Sequence, residues 1–155
     1  MKNDKFIETF KEEALELLGT LETTLLELEE NPEDKELISA VFRVMHTIKG
    51  SAAMFGLDKI SSFAHEVESI LTALREGRIS VTTDLIGNTL TARDHILEML
   101  EDFSDASDPL SENLSAFLEA FRVATGFAAS VRKDAADEVS SVSSAADSHA
   151  GSGRK

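Results

Sequence analysis

His46 and Lys49 stand three residues apart in the run His46-Thr47-Ile48-Lys49-Gly50-Ser51-Ala52-Ala53, and His65 and Glu68 repeat that spacing in Phe63-Ala64-His65-Glu66-Val67-Glu68. Residues three apart are neighbours on one helix face. Each pair therefore presents its groups together. An imidazole is a nucleophile when one ring nitrogen keeps its lone pair. A carboxylate bonded to the other nitrogen fixes that tautomer and stabilises the positive charge that develops during attack. If the helix holding Glu68 returns antiparallel against the helix holding His46, Glu68 reaches the ring. The chemistry on offer is bond formation at His46, with Lys49 beside it as a cation.

The same residues admit a metal reading through His46, His65, Glu66, Glu68 and His95. Ligand spacing argues against it. His65-Glu66 begins like a zinc-protease motif, but position 69 is Ser69 where a second histidine is needed. A di-iron bundle needs Glu-x-x-His on two helices, and that pair is missing. No metal and no bound cofactor are expected.

Helices must position these groups. On the stretch that carries His46, advancing about 100° per residue from Leu37 brings Leu37, Val41, Val44, Ile48 and Ala52 into one arc, with Ile38 and Met45 at its edge. His46 falls roughly 145° from the centre of that arc and points to solvent. Lys49, Gly50 and Ala53 follow on the same face, and Phe42 lies one turn before. Glycine inside a helix costs about 1 kcal/mol. Beside an exposed imidazole, the missing side chain lets another protein's backbone approach, and an exposed Phe42 offers that partner an apolar anchor.

The rest of the chain reads as more helix. Phe6, Phe10, Ala14, Leu17, Leu18, Leu21, Leu25 and Leu28 form a stripe at spacings of three and four. Helices are expected at about 4–30, 33–54, 59–76, 83–103 and 109–125. Asn31-Pro32 ends the first and Glu33 and Asp34 open the second. Asp58 is expected to cap the third, and Thr82 or Thr83 the fourth. Asp108-Pro109 opens the fifth, with Gly56, Gly77 and Gly126 as stops. Short connections make sequential helices antiparallel. The expected fold is all-α, an antiparallel up-down four-helix bundle with an additional C-terminal helix, over residues 1–128. Residues 129–155 are rich in Ser, Ala and Asp with almost no large apolar residue, and read as a flexible linker or tail.

Charge narrows the partners. Net charge is -14, which disfavours nucleic acid. Residues 1–36 hold twelve acids against four bases and residues 80–128 nine against two, whereas residues 37–79 hold four against five. The stretch with His46 is thus spared the acidity of its flanks. There is no cysteine, no run approaching a membrane span of about 20 apolar residues, and no signal-peptide pattern at the start. A cytoplasmic protein that does not insert in a membrane is the expectation, here as a monomer.

The stretch VFRVMHTIKGSAAMFGLDKISSFAHEVESIL resembles the histidine-containing phosphotransfer domain at the N-terminus of the chemotaxis histidine kinase CheA. His46 to Ala53 match the phosphorylation motif of that family. Met54-Phe55-Gly56, then Phe63 to Glu66 with Glu68, extend the match, and the likeness covers about residues 4–125. It implies that His46 accepts a phosphoryl group from ATP bound by a separate histidine kinase catalytic domain, and passes it to an aspartate on a response-regulator receiver domain. It further implies that Lys49 neutralises phosphoryl oxygens, that His65 and Glu68 form the polar network around the ring, and that Gly50 lies beneath the docking partner. The sequence itself holds no Walker loop and no kinase glycine loop, so this stretch is a carrier and a kinase substrate. A helical adaptor that binds through Phe42 without phosphorylation is the alternative.

Overall fold

The computed structural model describes residues 2–127, and these form five helices without a strand among the described residues: α1 (Lys2–Glu30), α2 (Lys35–Met54), α3 (Asp58–Arg75), α4 (Thr83–Glu101) and α5 (Glu112–Thr125). The end of the expected domain at residue 128 and the expected tail at 129–155 lie outside the described residues. α1 packs on α2 and α4, α2 on α3, and α3 on α4, which closes a four-helix ring. α5 lies outside that ring, against α3 and α4. The architecture is the expected four-helix bundle with an added helix. No described helix is long and apolar enough to cross a membrane.

The core comes from the stripes that the spacing marks. Phe10, Leu18, Leu21, Leu25 and Leu28 of α1 are fully buried, as are Met45 and Ile48 of α2 and Phe63, Ile70 and Leu71 of α3. Phe6 departs from its stripe. It is 55% exposed and stacks on the ring of Phe55, 6.4 Å away between centroids. Polar contacts tie the helices where the stripes do not. Arg93 on α4 donates Nε–H to the Leu18 carbonyl of α1 at 2.7 Å. Arg122 pairs with Glu66 and so fastens α5 to α3.

Three helix starts differ from expectation, each because a different group satisfies the free N–H groups of the first turn. α2 starts at Lys35, not 33. Asp34 stands before the helix in extended backbone and accepts from the N–H groups of Glu36 and Leu37 at 3.0 and 3.2 Å. α3 starts at Asp58 without a side-chain cap. The Lys59 N–H instead donates to the Ala106 carbonyl at 2.8 Å, from the distant loop between α4 and α5. The neighbouring Lys59 ammonium is held by Asp105 of that loop. α5 starts at Glu112, not at Pro109, because the Ser111 hydroxyl caps it by accepting from Leu114. α4 starts as expected behind Thr82, but ends at Glu101, where Asp102 turns to accept from the Ser104 N–H.

Asp34→Ala should lower the stability of the bundle by about 1 kcal/mol, the usual loss for a removed N-cap. Urea unfolding followed by circular dichroism should show a lower midpoint at an unchanged slope, with native helix content in water.

Candidate functional site

α2 and α3 run side by side, joined only by residues 55–57. That hairpin turns on Gly56 with φ 72° and is closed by the Leu57 N–H donating to the Ala52 carbonyl at 2.9 Å. The Ser61 hydroxyl donates to the Lys49 carbonyl at 3.2 Å, so the two helices are also pinned in register beside the site. The register brings Glu68 level with the gap between His46 and Lys49.

Glu68 is the centre of the site. Its side chain is 11% exposed, whereas that of His46 is 60% exposed. Its Oε2 lies 2.5 Å from His46 Nδ1, and its Oε1 accepts from Lys49 Nζ at 2.8 Å. Burial pushes the Glu68 carboxyl up, but the hydrogen bonds and charges of Lys49 and His46 outweigh it and hold the group below the ordinary carboxylate range. Glu68 is therefore ionised near neutral pH. An ionised carboxylate only accepts hydrogen bonds. His46 Nδ1 must then carry the proton, and in the neutral ring Nε2 keeps the lone pair.

The other expected residues fall into place unevenly. His65 is exposed one turn before Glu68 and makes no side-chain hydrogen bond to His46, Lys49 or Glu68. Lys49 is half-buried and engaged with Glu68, not free beside the ring. Gly50 and Ala53 are exposed on the His46 face, and a side-chain carbon added at Gly50 would meet nothing within 4 Å. Phe42 corrects an expectation: it is half-buried, not exposed. Its ring is stacked with that of His46, 5.8 Å between centroids and 15° between planes. The guanidinium of Arg75 lies over it, 3.8 Å from the centroid. Phase on α2 alone leaves Phe42 bare because the residue that covers it comes from α3.

Arg75 and Ser61 are the site residues that sequence reading missed. A signal for Arg75 was present: it follows Glu68 by seven residues, two helical turns, and so shares its face. Ser61 carried none, since its bond goes to a backbone carbonyl. Two groups of the metal reading are used elsewhere. Glu66 pairs with Arg122, and His95 packs against Phe63 and Phe117. No cluster of three or more potential ligands to a metal occurs among the described residues.

Residues 5–106 match the family model described as the Hpt domain. The chemotaxis protein CheA of Borreliella burgdorferi is 36% identical over 100 residues, which is 64% of this chain and 12% of that protein's length. The CheA phosphotransferase domain from Thermotoga maritima is 39% identical, with a TM-score of 0.61 over 63% of this chain and 92% of that one. The phosphorylated P1 domain of CheA3, solved in complex with CheY6 from R. sphaeroides, shares the fold at 24% identity. Its TM-score is 0.66 over 77% of this chain and 94% of that one.

The lowered position of Glu68 gives a pH dependence. A carboxyl held down in the folded state stabilises it above its ordinary value of 4.5, and that contribution is lost as pH falls through the lowered folded value. Melting curves of wild type and Glu68→Gln should differ most near neutral pH, with the variant less stable. The difference should shrink steadily below pH 4.5.

Proposed function

The chain belongs to the Hpt domain family, and from that premise we propose that it is a phosphoryl carrier of chemotaxis-type two-component signalling, with His46 as the residue that is phosphorylated. The observation that supports this most is the 2.5 Å contact between His46 Nδ1 and the buried Glu68 carboxylate, which leaves Nε2 as an exposed nucleophile. In the loading step, Nε2 attacks the γ-phosphorus of ATP held by a separate histidine kinase catalytic domain. The bond from phosphorus to the bridging oxygen breaks, and ADP leaves with the electron pair. The ring becomes cationic, and its Nδ1 proton stays on the Glu68 hydrogen bond. In the unloading step an aspartate oxygen of a response-regulator receiver domain attacks the phosphorus. The N–P bond breaks and its electron pair returns to Nε2. The Nδ1 proton remains in place through both steps, so neither step needs an outside base.

Lys49 has two further N–H donors beyond the one given to Glu68, and these reach for phosphoryl oxygens. His65, one turn from Glu68, joins the network when the loaded ring draws on it. Gly50 and Ala53 leave a low surface where a receiver backbone settles, and Phe42 borders it. This stretch binds no cofactor itself. A cytoplasmic site of action fits, since both ATP and receivers are met there, and the domain works as a monomer.

Mixing the chain with ATP and a CheA-type kinase domain should place acid-labile, base-stable phosphate on wild type and none on His46→Gln. Glu68→Ala should slow the labelling while the bundle stays folded. Equal labelling of His46→Gln would remove the site, and absent labelling with retained receiver binding would favour the adaptor.

The docking surface has its own test. Gly50→Ala should raise stability by about 0.5–1 kcal/mol through helix propensity, with near-normal transfer to a receiver. Gly50→Leu should keep the fold, as space is open there, yet slow transfer to the receiver at least tenfold. Stopped-flow dephosphorylation of the loaded chain reads both variants.

A further inference from the structure

The hydrogen bond from Nδ1 fixes one atom of the His46 ring, and the ring is otherwise mostly in solvent. Beyond its covalent link at Cγ the ring is held by this one bond, and it still rocks about the Cβ–Cγ axis within the reach of that bond. Turning moves Nε2 and tilts its lone pair. A second contact on the ring face is needed to fix the plane. Phe42 supplies one, since its ring lies within 15° of parallel to the imidazole. Phe42 is itself only half-buried and would swing unless it too were held. The Arg75 guanidinium lies over its ring at 3.8 Å, a contact that favours a planar cation. Arg75 has no carboxylate partner among the described residues. The other cation of the site is engaged: Lys49 is paired with Glu68.

We propose that Arg75 is a positioning residue for phosphorylation, acting through Phe42 to hold the plane of the His46 ring. α3 then grips the nucleophile twice, at Nδ1 through Glu68 and at the ring face through Arg75 and Phe42. The proposal rests on the reading of His46 as the phosphorylated residue. It predicts a loss of turnover without a loss of docking.

The test uses Arg75→Met, which keeps an unbranched apolar stem and removes the cation, and Arg75→Lys, which keeps charge on a non-planar head. Each is loaded in two ways. One uses the kinase domain with ATP. The other uses phosphoramidate, a donor with no docking surface, from which His46 Nε2 takes the phosphoryl group as the P–N bond breaks and ammonia leaves. Arg75→Met should lose three- to tenfold in kcat with the kinase domain at an unchanged KM, and a similar factor with phosphoramidate. Arg75→Lys should recover part of both. Phe42→Leu should cost about as much, and the double variant no more than either alone. NMR relaxation of the His46 ring should show greater mobility in Arg75→Met at an unchanged melting temperature.

A loss confined to KM with the kinase domain, with wild-type phosphoramidate kinetics, would make Arg75 a docking contact and overturn the proposal. So would wild-type rates and ring order in Arg75→Met. If wild type itself takes no phosphate at His46 from either donor, the carrier reading fails instead. The ring-order measurement still decides whether Arg75 and Phe42 clamp the imidazole.

Discussion

A carboxylate buried between two helices is the constraint on which the rest of this structure turns. Glu68 faces α2 with little contact to water, and a buried charge without partners is strongly unfavourable. Its two oxygens are satisfied by two side chains one turn apart on α2, His46 and Lys49. That requirement fixes the register of the hairpin. A slip of α3 along α2 by one turn would strand the carboxylate against apolar surface or solvent. The tight turn at Gly56, the Leu57 to Ala52 bond and the Ser61 to Lys49 bond hold the same register from the loop end. Even the start of α3 is secured from outside the hairpin, by Ala106 and Asp105. The fold spends much of its polar bonding on keeping one carboxylate opposite one imidazole.

The arrangement separates two needs that conflict in a nucleophile. For the proposed role of His46, the ring must be exposed to meet large partners, and it must be oriented to react. Placing the orienting group in the interior and the reacting nitrogen outside satisfies both. The ionised state of Glu68 links them, because only a carboxylate forces the proton onto Nδ1 and the lone pair onto Nε2. Lys49 contributes by keeping that carboxylate charged despite its burial.

Much of this was legible in the sequence, and the misses apart from locally capped helix ends share a cause. The five helices and the outward phase of His46 follow from periodicity, which is a property of one helix at a time. The pairing of Glu68 with His46 needed the added step that α3 returns antiparallel on α2. These misses were features set by an element distant in sequence. Phe42 read as bare because its cover, Arg75, comes from α3. Asp58 read as a cap because the carbonyl that serves α3 belongs to Ala106. Phe6 read as core because its stripe continues past the point where the neighbouring helices still cover it. Local pattern fixes the period of a helix, but the ends and the edges are set by neighbours.

The charge balance around His46 bears on what a carrier requires. Lys49 and Glu68 cancel beside the ring, and the remaining cation of the site, Arg75, lies over the face of Phe42. A phosphoryl group brings about two negative charges, and the spare donors of Lys49 are the cationic ones beside the ring. A site with several free cations would hold the group more firmly and raise the barrier to passing it on, since stabilising a bound state without stabilising the transition state gains nothing in rate. The near-neutral stretch 37–79 between acidic flanks has the same sense. Under the proposed carrier role, the counter-charge for each transfer would come with the partner. Under that proposed role, the weakness of the His46 site toward its own cargo is a condition for relaying it.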